Sequence, residues 1–473
     1  MRAHEAGALH ADGYGSPAWL QVPGDVNALV PSLWASSVGR STDGVLTVGG
    51  VSVHDLAGEF GTPAYVLDEA DFRARARDFR DTYAEVFADL GGGADVYYAG
   101  KAFLCTEVVR WIRDDDLRLD LCTGGELAVA IRAGMLGDRL GLHGNNKSVV
   151  ELETALRYGV GRVIVDSYAE IERLAALARR LDTVARVMVR VTVGVEAHTH
   201  EFIATAHEDQ KFGFSLSGGE AAEAVRRILA VAPHLELIGL HSHIGSQIFD
   251  TSGFEVSARR VLGLHAEVAK EHGVELPELD LGGGFGIAYT TEHDPLPPKH
   301  LAAGMAEIVE RECRASGVAV PHISVEPGRA IAGPSTFTLY EVGTVKVIDL
   351  DGGASRAYLS VDGGMSDNIR TALYEANFSC TLANRTSSAP PRLSRVVWKH
   401  CESGDIVVMD EFLPADIAPG DLLAVPGTGA YCRSLSSQYN HTPRPPVVSV
   451  RDGRARVLLR RETIDDLLAL DVG

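Results

Sequence analysis

The sequence predicts an α/β fold, a (β/α)8 TIM-type barrel followed by a second, mainly antiparallel β domain. Three observations carry this. Eight short apolar runs recur between residues 95 and 326, with room for a helix between each successive pair. Beyond about residue 335 the texture changes to β-patterned segments separated by Gly, Pro and Asp turns. The chain's 473 residues also exceed what one hydrophobic core usually organises, so two domains are expected.

In chain order, residues 1–45 are rich in Gly, Pro and Ser with little periodicity, and read as an N-terminal arm. "GVLTVGGVSVHDLAGEFGTPAYVLD" reads as strand, short helix and strand, and residues 46–69 are expected to lend strands to the β domain. From Asp71 the spacing of Phe72, Phe79, Tyr83, Phe87 and Leu90 predicts a helix. The barrel is expected over 70–334. Its strands are "DVYYA", "LRLDL", "RLGLH", "RVIVD", "VMVRVT", "LELIGLH", "ELDLG" and "HISVE". Strands alternating with helices imply a parallel sheet, and eight of them close it, whereas doubly wound sheets usually need fewer. The β domain is expected over 335–473, from "TFTLYEVGTVKVIDL" to "PVVSVRDGRARVLLRR".

Composition narrows the function classes. A net charge of −20 argues against a general nucleic-acid or anionic-membrane surface, though a local arginine pocket can still bind a small anion. The six cysteines are scattered without a C-x-x-C pair, which suits neither a disulfide scaffold nor a zinc site and fits a reducing cytoplasm. The N-terminus lacks the apolar stretch of a signal peptide, and no apolar run reaches transmembrane length. A cytoplasmic protein is expected.

Barrel active sites lie at the C-terminal ends of the strands. The first run delivers Lys101, the second Asp120 and Cys122, and the sixth "HSHIGSQ" with His241, His243 and Ser246. The seventh delivers the glycine turn Gly282, Gly283 and Gly284, and the eighth "EPGRA" with Glu326, Gly328 and Arg329. Pyridoxal phosphate accounts for this set. A partly buried amine at Lys101 can form a Schiff base. Glycine N–H groups approach a phosphate closely, Glu326 can hold a pyridine nitrogen protonated, and His243 can stack on the ring. Each piece alone has a plainer reading: a snorkelling lysine, a hydrogen-bonded structural histidine, an ordinary glycine or Pro-Gly turn. The histidine pairs at 198–200 and 241–243 suggest a metal, but no carboxylate or Cys completes a set in sequence, so none is assigned.

The ordered series "YYAGKAF", "HSHIGSQ", "LDLGGGFG", "EPGRAI", "DGGMSDNIRTALY", "KHCESGD" and "GTGAY" resembles the diaminopimelate decarboxylases. They belong to the fold-type III pyridoxal-phosphate enzymes, as do ornithine and arginine decarboxylases. The likeness runs from about residue 45 to the C-terminus. It implies a head-to-tail homodimer with two shared sites. It implies that Lys101 carries the cofactor, His243 stacks on its ring and Glu326 meets the pyridine nitrogen. Ser246, Gly282, Gly283, Gly284, Gly328 and Arg329 would surround the phosphate, with Arg329 also facing substrate. Arg370 and Tyr374 would contact the substrate carboxylate, Cys401 and Glu402 would come from the partner subunit, and Tyr431 would lie against cofactor and substrate. "VEAHTHEFIATAHEDQKFGF" resembles a mobile loop over the site, in which His200 is given no role. Cys401 or Lys101 would return a proton to the decarboxylated carbon.

The implied reaction converts meso-2,6-diaminopimelate to L-lysine and CO2, the last step of lysine biosynthesis. The far end of that substrate carries a carboxylate and an ammonium, suiting a bidentate Arg370 and an accepting Glu402. Ornithine would leave Arg370 unpaired, at ~3–5 kcal/mol. The rivals are an ornithine or arginine decarboxylase, an alanine racemase (which places Arg where Glu326 stands), and a non-catalytic pyridoxal-phosphate carrier or regulatory homologue.

Overall fold

The computed structural model describes residues 15–194, 211–349 and 355–473. His200 and most of the expected mobile loop lie outside the described residues. The chain separates into two compact units. One is 73–286 with 295–331, and the other is the described chain up to Phe72 with 287–294 and 332–473.

The first unit is a closed parallel barrel. Its strands are β1 Ala94–Ala99, β2 Arg118–Leu121, β3 Leu140–Leu142, β4 Arg162–Val165, β5 Ala185–Thr192, β6 Leu235–His241, β7 Glu278–Asp280 and β8 His322–Val325. Each pairs in parallel with the next, and β8 returns to β1 through Ile323 and Ala94, closing the ring. All eight expected runs are strands. β3 and β4 are buried along their whole length. A parallel strand covered on both faces has no solvent side to alternate with, which is why these runs read as continuous rather than alternating apolar sequence.

Local chemistry sets where the loops at the strand ends stop. Thr123 caps the helix Gly124–Ala133 by accepting from the Glu126 N–H. Ser148 and Glu151 form a reciprocal capping box at Val149–Tyr158, and Ser167 caps Tyr168–Arg180. Each helix therefore starts a few residues after β2, β3 or β4, and the intervening loops are short enough to hold their side chains in place. The first barrel helix, Glu69–Phe87, buries Phe72, Phe79, Tyr83 and Phe87 as their spacing requires. It stops short of Leu90. The chain tightens into a 3-10 turn at Ala88–Leu90, and Gly91 then takes φ 87°, so Leu90 is only partly buried.

The second unit is built on the long strand Thr336–Asp349. It pairs antiparallel with Ala64–Asp68, Leu422–Pro426 and Ser355–Val361. Two pairings are parallel, Ala64–Asp68 with Val447–Arg451 and Ser355–Val361 with Pro391–Val397. Gly39–Arg40, Leu46–Val48 and Val51–Ser52 form a separate small sheet. Upstream, Leu33 and Trp34 are buried in one apolar cluster with Leu46, Val48, Phe337 and Val448. Trp34 meets the Phe337 ring edge-on at 6.0 Å. Among the described residues no helix is long and apolar enough to cross a membrane.

Candidate active site

A cleft opens at the C-terminal ends of the barrel strands. Lys101 enters it after β1, Asp120 from β2 and Cys122 just after it, His143 and Asn145 after β3, and Arg190 from β5. His241 and His243 enter from β6 and Glu326 from β8. The two histidines, two apart, share the cleft face as the two-residue period of a strand requires. Lys101 is exposed rather than partly buried, because the cleft in which it stands is open to solvent.

Glu326 is buried, and its Oε1 is approached by two imidazoles. His241 Nε2 lies at 3.0 Å and His143 Nε2 at 3.4 Å. Burial works to raise the Glu326 carboxyl, but the facing His143 and then His241 outweigh it and hold the group well below the usual carboxylate range. The neighbouring Asp120 goes the other way: burial, then the Glu326 charge, push it well above that range. Of these two carboxyls Glu326 is the one kept ionised. The trio His143, His241 and Glu326 places three ligand-type atoms within 4.8 Å of one another. Sequence reading found no carboxylate to complete a histidine set. Three different strands contribute one group each, which spacing along the chain cannot reveal.

His243 is oriented by the glycine turn. The Gly283 N–H donates to its Nδ1 at 3.1 Å, so that nitrogen is the unprotonated one. Burial, reinforced by Lys101, drives the ring's pKa well below its ordinary value. The result is a fixed, uncharged aromatic face. The Gly282 N–H donates to Asp280 Oδ1 at 2.7 Å, so two N–H groups of this turn are spent inside the protein. The glycines themselves are required by close approach: a Cβ on Gly283 would lie 2.2 Å from the Glu326 carbonyl oxygen, and one on Gly284 2.5 Å from that of Gly245. Arg329 Nη2 donates to Ser246 Oγ at 2.7 Å, joining the ends of β8 and β6. Gly328 packs on Ala99, where a Cβ would come within 2.9 Å.

The remaining candidates lie in the β unit. Arg370 is 5% exposed. Its guanidinium stands 5.3 Å from the Tyr289 ring, 5.5 Å from Tyr374 and 5.7 Å from Tyr431. Among the described residues its Nε has no hydrogen-bond partner. Tyr431 adopts φ 62°, an uncommon backbone for a bulky residue, while sitting against this arginine. Glu402 is exposed and accepts from Tyr439 Oη at 2.7 Å. Cys401 is exposed.

The segment leading to Arg370 is pinned by Asp367, whose carboxylate accepts from Tyr340 Oη at 2.5 Å and the Gly364 N–H at 2.7 Å. Burial pushes this carboxyl up to about 7. Because the folded value exceeds the ordinary 3.8, the folded state holds the proton more tightly. The associated stability is present below about pH 4 and is lost as pH rises to about 7. Asp367→Asn is neutral throughout. Its melting temperature minus the wild type's should therefore climb between pH 4 and 7 and level off above. A pH-independent gap in a calorimetric series would contradict this.

Sequence reading passed over His143, Arg190 and Tyr289. The signal for the first two was present, as a polar side chain inside or ending an otherwise apolar strand run ("RLGLH", "VMVRVT"). Tyr289 carried none, since its place beside Arg370 is set by a chain excursion, residues 287–294, into the β unit.

An accessible amine, a neutral imidazole face, an ionised buried carboxylate and a Ser–Arg–glycine corner fit pyridoxal phosphate. A family model described as pyridoxal-dependent decarboxylase, pyridoxal binding domain, matches residues 69–333. Diaminopimelate decarboxylase of Mycobacterium leprae is 54% identical, covering 100% of both chains. That of Bacillus subtilis is 41% identical over 92% of this chain and 96% of its own. The crystal structure of diaminopimelate decarboxylase from M. jannaschii in complex with L-lysine superposes with a TM-score of 0.85 at 27% identity, covering 93% of this chain and 98% of that one. The chain belongs to the pyridoxal-dependent decarboxylases and, among them, to the diaminopimelate decarboxylase family.

Proposed function

We propose that the protein decarboxylates meso-2,6-diaminopimelate to L-lysine and CO2, the closing step of lysine biosynthesis. Its cofactor is pyridoxal phosphate. The observation favouring this substrate over ornithine or arginine is Arg370. A buried guanidinium enclosed by tyrosine rings, with no carboxylate paired to it among the described residues, calls for an anion. Ornithine and arginine offer no carboxylate at their far end.

When bound, pyridoxal phosphate supplies an electron sink for the pair left as the carbon–carboxylate bond breaks. The chain's own residues do the rest. Lys101 presents the amine that holds the cofactor and exchanges with the substrate amine. Ionised Glu326 keeps a proton on the ring nitrogen, and neutral His243 offers its flat face. Ser246, Gly328, Arg329 and the Gly282–Gly284 turn would hold the phosphate, although the Gly282 and Gly283 N–H groups already bond Asp280 and His243. Arg370 and Tyr374 bind the substrate's distal carboxylate, Glu402 its distal ammonium, and Tyr431 lies against both ligands. Cys401 or Lys101 returns a proton to the carbon that lost CO2. On the family resemblance, Cys401 and Glu402 act across a homodimer interface, and the enzyme works in the cytoplasm.

The test is CO2 release by cofactor-loaded protein offered meso-diaminopimelate, ornithine, arginine and lysine in parallel. Release from diaminopimelate alone, with lysine as product, is expected. Release from ornithine or arginine instead would overturn the assignments of Arg370 and Glu402.

A further inference from the structure

Glu326 is held by more than one residue needs to hold it. His241 already bonds its Oε1, yet His143 brings a second imidazole to the same oxygen at 3.4 Å and to Asp120 Oδ1 at 3.2 Å. The rings of His143 and His241 meet edge-on, centroids 5.1 Å apart. Behind Asp120 stands the fully buried Arg162. It lies 3.7 Å from Asp120 Oδ1, bonds Ser324 Oγ at 2.8 Å, pairs with Asp280, and covers the Tyr97 ring at 3.5 Å.

This layer of a barrel interior is normally filled by branched apolar side chains. Here ionisable groups, Asp120, His143, Arg162, His241, Asp280 and Glu326, lie on or just after β2, β3, β4, β6, β7 and β8. Among the described residues His143 Nε2 has no hydrogen-bond partner of good geometry. Such a group costs about 1–3 kcal/mol when buried. A purely structural core gains nothing from it, and an apolar filling of the same volume would serve stability as well or better. Asp120, His143, His241 and Glu326 all form the wall of the Lys101 cleft. The expense is concentrated where charge has to be controlled.

We propose that His143 is a positioning residue for Glu326: with its Nε2 between Glu326 Oε1 and Asp120 Oδ1, it holds the Glu326 carboxylate in place toward the cofactor's ring nitrogen. His241 fixes the direction of Glu326. His143 Nε2 bridges the two carboxyls, 3.4 Å from Glu326 Oε1 and 3.2 Å from Asp120 Oδ1, and limits how far Glu326 can turn from the cleft. Arg162 stands 3.7 Å from Asp120 Oδ1 while also pairing with Asp280, and is likewise unchanged in the comparison below. Lys101, Arg190 and His243 face the same pocket from β1, β5 and β6, and are unchanged in the comparison below.

This inference rests on Glu326 meeting the ring nitrogen, so the experiment separates the two. The protein is loaded with pyridoxal phosphate labelled with 15N in the ring. The nitrogen's NMR shift is read at one fixed pH for wild type, Glu326→Gln, His143→Leu and His143→Gln. Wild type should show the protonated-nitrogen shift and Glu326→Gln the unprotonated one. His143→Leu should move most of the way toward Glu326→Gln and lose about 10–100-fold in kcat. His143→Gln, which restores an N–H at similar reach, should return toward wild type in both readouts. A wild-type shift in His143→Leu beside a displaced shift in Glu326→Gln would overturn the role of His143 alone. A wild-type shift in Glu326→Gln would overturn the reading of Glu326 itself. Should His143→Leu fail to fold, His143→Asn, too short to reach Oε1, takes its place with the same expectations.

Discussion

Lys101→Ala should lower kcat on diaminopimelate by at least about 10³-fold, because one side chain performs two separate jobs. Its amine makes the covalent attachment that presents the cofactor to the substrate amine, and it is a candidate donor for the final proton. The cleft is open and Lys101 is exposed within it, so removing the side chain breaks no buried contact. Fold and thermal stability should therefore be unaffected. The purified variant should still take up pyridoxal phosphate through the Ser246–Arg329 corner but lose the visible absorbance of the covalently held form. A small primary amine added to the medium should recover part of the rate. Activity within tenfold of wild type would remove Lys101 from the mechanism. A collapsed melting temperature would recast it as structural.

Arg370→Met should separate binding from stability in the opposite sense to most buried-arginine substitutions. Breaking a buried charge pair by deleting one partner costs about 3–5 kcal/mol, which sets a fall in kcat/KM for diaminopimelate of roughly 10²- to 5 × 10³-fold. Among the described residues no carboxylate pairs with Arg370 and nothing bonds its Nε. Its burial is thus a burden offset only by the rings of Tyr289, Tyr374 and Tyr431, and Met packs against the same rings without the charge. The variant's melting temperature should equal or exceed that of wild type while its KM rises. Arg370→Lys should fall between them, keeping the charge but losing the planar fork. An unchanged KM in Arg370→Met would point the carboxylate-reading role elsewhere, and a lowered melting temperature would mean the cage holds the arginine for the fold's own sake.

Much of this site is written in the chain as pattern. Apolar runs at regular intervals point to parallel strands covered on both faces, and eight of them favour a closed barrel over a doubly wound sheet, which usually needs fewer. The residue after each run lands on the functional rim, which is how Lys101, His243, Ser246, Glu326 and Arg329 are found without coordinates. What the pattern does not carry is who faces whom across the barrel. That Glu326 ionises while Asp120 keeps its proton follows from two imidazoles arriving on β3 and β6, more than 80 residues apart from it in the case of His241. That two N–H groups of the glycine turn are already committed follows from Asp280 and His243 folding back onto it. That Tyr289 joins the cage around Arg370 follows from a short excursion of the chain into the other unit. Periodicity determines which face of an element a side chain occupies. Burial, charge proximity and hydrogen-bond saturation are properties of neighbours, and only the tertiary structure chooses those.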